Sequence, residues 1–376
     1  MPDLQSLRTL LDPPPAVVAL LLALLLILPP LLHRSWRRAE YAVLLVAVLV
    51  AVLLGEVCCR LLGLGAPLVA PVWIAKRATT EEFEYLMEPH SRLEFRYPSN
   101  PRGYFGSGNR IVSRVNSQGF RGPEALAERP VGSVRIAMLG DSFTLGTGVR
   151  DEDTLPARLE KVLTRTRPGV EVLNFGVGGT NTPRQIELLE RQVLDYRPDI
   201  VLVVVFLNDA GRSGTVSLIS KPWLLPALRE HSQFLNALVR PVERRILHHT
   251  MIRHYRRGFD SDSPGWLAVQ QALLRAAELC AGHGCKLMVV VYPVLFGLAQ
   301  DYPFSDAHAS IEAFCEHTAI PYADLLPALI GHDPSQLWVH ATDPHPNEKA
   351  HALAAARLVA ELERQALVSP HQPADE

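Results

Sequence analysis

The sequence predicts an α/β fold: a doubly wound parallel five-stranded sheet with flanking helices, preceded by two transmembrane helices. Three observations carry this reading. From Ser133 onward, short apolar runs alternate with segments of helical spacing, the pattern of a parallel sheet built through crossover helices. One such run, IVLVVVFL at 200–207, is apolar and largely β-branched, as befits a central strand covered on both faces. The apolar excess of a 48% hydrophobic chain is concentrated near the N-terminus.

That excess forms two runs, at about 16–32 and 41–59, the first without a charge. A bilayer core takes about 20 helical residues, and both runs are apolar on every face, which suits lipid. A signal peptide is the rival for the first run, but Asp3 and Asp12 precede it where a basic segment belongs, and no small-residue cleavage site follows. The connection 33–40 holds Arg34, Arg37 and Arg38. Short arginine-rich loops stay cytoplasmic, so both termini are expected outside the cytoplasm. Residues 1–79 thus read as a membrane anchor, and the Gly- and Pro-broken stretch 61–75 as lying at the membrane surface.

Residues 80–132 read as lead-in strands and turns, dense in Gly, Pro and Asn. Strands are then expected at 134–139, 170–173, 200–207, 286–292 and 320–325, with helices at 154–166, 184–196, 267–280, 307–317 and 347–367. An insertion at 210–262 interrupts the alternation. It carries nine basic residues (Arg212, Lys221, Arg229, Arg240, Arg244, Arg245, Arg253, Arg256, Arg257) against Glu230, Glu243, Asp260 and Asp262. Apolar Phe234, Leu235, Leu238, Val242, Ile246 and Leu247 give it an amphipathic helix, either a solvated cap or a basic cap facing an acidic glycan or lipid head groups. Residues 369–376 form a tail. The net charge of −2 gives no reason to expect a nucleic-acid partner. Cys280 and Cys285 are placed either to form a disulfide or to sit as buried thiols. His248, His249 and His254 lack a matched carboxylate or thiolate set, so no metal or organic cofactor is implied.

Ligands of an open α/β sheet bind beyond the carboxyl ends of its strands, and four short motifs fall there. Gly140-Asp141-Ser142 follows the first strand, with Gly140 allowing a tight turn at the serine. Gly178-Gly179 follows the second, where glycines either close the turn or present an N–H to an anionic oxygen. Asn208 follows the third, as a turn cap or as an amide donor. His345 follows the last, with Asp343 two residues before it. A serine hydroxyl needs a base, and the imidazole needs a partner that fixes its tautomer; Asp343 is the nearest candidate in sequence.

Ser, Gly, Asn and His in that order, one per strand end, resemble the SGNH/GDSL hydrolase superfamily over about residues 133–365. The resemblance implies a flavodoxin-like sheet and an esterase in which Ser142 is the nucleophile. It further implies that His345 is the base, oriented by Asp343, and that Ser142 N–H, Gly179 N–H and the Asn208 amide form the oxyanion hole. By this reading 133–368 is the hydrolase domain. The chain departs from the pattern where Thr342 stands at the usual Asp position, three before His345. The Asp-x-His spacing is similar to that of alginate O-acetylation proteins. Phe206 replaces the usual Gly two residues before Asn208, which narrows the expected acyl pocket. The Val115–Gly122 run (VNSQGFRG) resembles segments ahead of this domain in membrane-tethered bacterial members; residue chemistry reads it as a structural hairpin. The expected activity is extracytoplasmic hydrolysis of a carbohydrate or lipid ester through an acyl-enzyme. The alternatives are O-acetyl transfer to an envelope polysaccharide, which needs an acyl-transfer partner, and a non-catalytic glycan-binding module.

Overall fold

The computed structural model describes residues 38–66, 70–76, 86–125, 132–211, 231–299 and 301–368. In chain order the elements are α1 (Arg38–Leu62), β1 (Val72–Ile74), β2 (Arg92–Arg96), β3 (Arg110–Arg114), β4 (Val134–Gly140), α2 (Ser142–Leu145), α3 (Leu155–Leu163), β5 (Val170–Gly176) and α4 (Thr182–Arg191). There follow β6 (Ile200–Phe206), α5 (Gln233–Gly258), α6 (Pro264–His283), β7 (Lys286–Tyr292), α7 (Ser305–Thr318), β8 (Tyr322–Asp324), β9 (Trp338–His340), β10 (Asp343–Pro346) and α8 (Glu348–Arg364). The chain divides into two compact units, 1–69 with 216–251 and 70–215 with 252–376.

In the larger unit, five parallel strands lie in the order β5-β4-β6-β7-β8. The chain starts at β4, winds outward to β5, then crosses back to β6 and onward, so the sheet is doubly wound as expected. Every residue of β6 is buried, which is why its sequence is apolar without alternation. Helix α3 packs with α8, and α4 with α6. Side-chain caps set several helix starts: Thr154 accepts from Ala157 N, Asn181 from Arg184 N, and Asn347 from Lys349 N and Ala350 N. The single helix expected at 184–196 is instead α4 followed by a 3-10 turn, Val193–Tyr196. Cys280 and Cys285 are buried free thiols.

Two antiparallel sheets complete this unit. One has the order β1-β2-β3 and the other pairs β9 with β10. Residues 72–74, read from sequence as part of a membrane-surface stretch, form β1 and pair with Arg96, Phe95 and Glu94 of β2. The lead-in sheet has its own apolar core, in which Leu93, Phe95, Tyr97, Ile111 and Val115 pack against Leu145, Val149 and Val339.

In the smaller unit, α1 covers the second predicted span. Of the described helices it alone is long and apolar enough to cross a membrane. Val43, Val46, Leu49, Leu53 and Leu54 on it are exposed. The first predicted span, 16–32, and residues 212–230 of the insertion lie outside the described residues, so a two-span anchor stays an expectation. The rest of the insertion is helical, and the Glu56 carboxylate of α1 accepts hydrogen bonds from Ser232 Oγ, Gln233 N and Phe234 N at the start of α5.

Candidate active site

The turn that carries Ser142 begins where β4 ends. A Cβ at Gly140 would sit 2.1 Å from Thr144 Oγ1 and 3.1 Å from Val204 Cβ, so only glycine lets the chain reverse this tightly. Asp141 then caps the short helix α2 by accepting from Phe143 N at 2.9 Å. The next residue is Ser142.

Ser142 Oγ lies 2.9 Å from His345 Nε2, and His345 Nδ1 lies 2.5 Å from Asp343 Oδ1. A carboxylate at Nδ1 favours the tautomer protonated there, so Nε2 faces the Ser142 hydroxyl as an acceptor. The Asp-x-His spacing works because His345 N also donates to Asp343 Oδ1, at 3.2 Å. That backbone bond closes a local turn which brings residue 343 under the imidazole of residue 345.

Burial dominates the electrostatics, and the partners oppose it. His345 is pulled down by desolvation, but the charge and hydrogen bond of Asp343, helped by Asp141, leave it above the ordinary histidine value. Asp343 is pushed up by burial, yet the interactions with His345 and the hydroxyl of Tyr97 hold it below the ordinary carboxylate value. Two more buried carboxylates lie nearby. Desolvation raises Asp141 against hydrogen bonds from Phe143 N and Asn208, and raises Asp209 further, with Asp141 adding to it. Asp209 accepts from Thr182 Oγ1 and Phe206 N, which ties the exit of β6 to the start of α4.

The remaining predicted residues fall at strand ends. Gly179 lies in the loop from β5 to α4, three residues after Gly176, which pairs in register with Gly140. Asn208 follows β6; its Nδ2 donates to Asp141 Oδ2 at 3.3 Å, and its buried Oδ1 has no hydrogen-bond partner among the described residues. Phe206 stacks on Phe143 with ring centroids 4.1 Å apart, and Tyr255 packs edge-on against it at 6.3 Å.

Three further residues reach this site, and none of them was assigned a role there from the sequence. Tyr97 OH donates to Asp343 Oδ2 at 2.8 Å. Trp73, 47% exposed, lies edge-on to the His345 ring at 5.2 Å. Arg121, 2% exposed, donates to the carbonyls of Leu145, Gly146 and Val149 and pairs with Asp151. The VNSQGFRG run is therefore more than a hairpin. Asn116 Oδ1 accepts from Gln118 N and Phe120 N, and the turn carries Arg121 into the loop behind Ser142. The signal was present as an arginine inside a turn-forming motif, but nothing local says where that arginine points.

A serine, an imidazole and a buried carboxylate joined by hydrogen bonds at the strand ends of a doubly wound sheet form a site of the serine-hydrolase type. Residues 138–353 match the GDSL-like Lipase/Acylhydrolase family, and the chain belongs to that family. Among solved structures it is similar to a catalytic mutant of an acetylxylan esterase from Geobacillus stearothermophilus: 19% identity over 62% of this chain and 95% of that one, TM-score 0.39. It is similar also to a two-domain esterase active on acetylated mannans: 17% identity over 64% and 52% of the two chains, TM-score 0.40. A third is TesA: 15% identity over 61% and 98%, TM-score 0.40. Among curated proteins, none matches.

Proposed function

We propose that the protein cleaves a short-chain acyl ester of a carbohydrate or lipid outside the cytoplasm, through an acyl-enzyme on Ser142. The carrying observation is the Ser142 Oγ–His345 Nε2 contact of 2.9 Å, backed by Asp343. His345 takes the hydroxyl proton as Ser142 Oγ bonds to the ester carbonyl carbon. Negative charge on the carbonyl oxygen meets Ser142 N–H, Gly179 N–H and the Asn208 amide, once that amide turns from Asp141. The tetrahedral species collapses as His345 returns the proton to the leaving alcohol. Water then attacks the acyl carbon by the same route and frees Ser142.

The stacked rings of Phe143 and Phe206, with Tyr255 behind, favour an acyl group near acetyl in size. The alcohol departs on the His345 side, beside the half-exposed Trp73. Three arginines between the two predicted spans support the extracytoplasmic location.

The test is hydrolysis of nitrophenyl esters of increasing chain length by the full chain in detergent. Acetate is expected to be the best substrate, Ser142→Ala to remove activity, and Phe206→Gly to shift preference toward longer chains. Equal rates for wild type and Ser142→Ala would sink the serine mechanism. A reporter fused at the C-terminus tests location, and cytoplasmic reporter activity overturns it.

A further inference from the structure

We propose that Tyr97 is a positioning residue of the active site, so that the lead-in sheet is a working part of the catalytic unit. This rests on the reading of Ser142, His345 and Asp343 given above. Asp343 has two carboxylate oxygens and is 2% exposed. Its own hairpin satisfies one, since both bonds from His345 end on Oδ1. The other, Oδ2, accepts from Tyr97 OH, and a buried carboxylate oxygen without a donor is costly. The tyrosine is built into place: it is 3% exposed, its ring stacks on Phe105 at 4.3 Å and 3°, and it follows β2 directly. Gly148, in the loop behind the nucleophile, leaves the room; a Cβ there would lie 2.1 Å from Tyr97 OH. The hydroxyl thus fixes the rotation of the Asp343 carboxylate, and through it the imidazole facing Ser142.

The test is Tyr97→Phe, which keeps the ring and its stack, with Tyr104→Phe as control. Tyr104 OH bonds Asp153 in the same lead-in region, so it reports loss of a hydroxyl away from the triad. For Tyr97→Phe, kcat is expected to fall about tenfold, as for one hydrogen bond to a charged group, with KM unchanged. The carboxylate, no longer shared with the phenol, holds the imidazolium more strongly, so the acid limb of kcat/KM moves to higher pH. Tyr104→Phe leaves that limb in place. Wild-type kcat and an unmoved limb in Tyr97→Phe overturn the proposal while Ser142→Ala remains inactive. An active Ser142→Ala overturns the underlying reading and this proposal with it.

A separate observation concerns the smaller unit. We infer that residues 233–250 of α5 lie against lipid. Leu238, Val242 and Ile246, spaced by four, are 57%, 54% and 40% exposed, whereas Asn236 and Glu243 are 4% and 6% exposed. In water a helix turns its apolar stripe inward; this one shows the reverse, as lipid-facing helices do. Polar groups are met inside the unit: Glu56 of the apolar helix α1 takes Arg60, Ser232 and the first amides of α5, and Arg240 donates to Ala66 O. Exposed Arg245 beside the stripe suits anionic head groups.

The inference rests on α1 spanning a membrane. Its test places nitroxide labels singly at 238, 242, 246 and 49 of the full chain, in a Cys58→Ser background. The protein is reconstituted in phosphatidylcholine–phosphatidylglycerol vesicles. Oxygen-accessible, nickel-shielded labels are expected at all four positions. Nickel access at 238, 242 and 246 with a shielded label at 49 overturns the lipid contact alone. Nickel access at 49 overturns the membrane reading and the inference together. Spin–spin broadening at the stripe overturns the lipid contact in favour of a second copy of the chain.

Discussion

The two halves of the active site are built by different means. Ser142, Gly179 and Asn208 stand just past the ends of parallel strands whose register is fixed by buried backbone ladders. His345 and Asp343 stand on a two-stranded hairpin whose register shifts between Asp343 and Pro346. The first half inherits its geometry from the sheet. The second depends on individual side chains, above all Tyr97 on Asp343 and Asn347, whose Nδ2 bonds the carbonyls of Gln336 and Trp338. Arg121 ties the lead-in sheet to the first half, because it holds the carbonyls of the loop behind Ser142. A register slip in the central sheet would unpack whole strands at once, whereas the hairpin half can lose function one hydrogen bond at a time.

The largest effect that bears on this contrast is expected from Asp343→Asn. It keeps shape but removes the charge that fixes the imidazole tautomer, so kcat should fall by about 10⁴ with the fold intact. A loss under tenfold would mean that the hairpin half does not orient the base. Arg121→Met removes a buried cation bonded to three carbonyls and Asp151. Denaturant unfolding should show a loss of about 3–4 kcal/mol, and a loss below 1 kcal/mol would separate the lead-in sheet from the nucleophile loop. Asn208→Ala should lower kcat about 10²–10³-fold, or about 2.7–4 kcal/mol of barrier, with little change in stability. An unchanged kcat would remove Asn208 from the oxyanion hole.

Smaller effects come from titration. His345 lies above the ordinary histidine value and acts as a base only when neutral, so the acid limb of kcat/KM should lie above pH 6.5. His351, 0% exposed and with neither ring nitrogen bonded, is pushed by burial to about 3. Its folded value lies below its unfolded one. The unfolded chain therefore takes up a proton first, and stability falls as pH drops from about 6.5 toward 3. By pH 5 this amounts to about 2 kcal/mol. His351→Leu should abolish that part of the acid sensitivity, and an identical acid profile would show that another group sets it.

Much of the sheet half was legible in the sequence. The central strands read as unbroken apolar runs because both faces are covered, and Gly140-Asp141-Ser142 and Asn208 were recognisable by their place after such runs. Helix starts were legible to within two residues at 184 for α4, which begins at Thr182, and at 347 for α8, which begins at Glu348. The hairpin half was legible only as a pair of residues. Strand β1 was hidden because three apolar residues in a stretch broken by Gly and Pro carry no alternation to count. Tyr97 and Trp73 were hidden because their partners lie more than 200 residues away.

By itself the sequence determined the class of fold, the order of the four motifs and the apolar character of the segment that forms α1, because each depends on local propensity and burial pattern. Only the tertiary structure decided that the lead-in sheet packs against the hairpin of Asp343 and His345. Only it gave the second carboxylate oxygen of Asp343 its donor and set Arg121 on the loop that follows Ser142. Those contacts join distant residues of ordinary type, and the strength of each comes from burial, which the chain acquires only by folding.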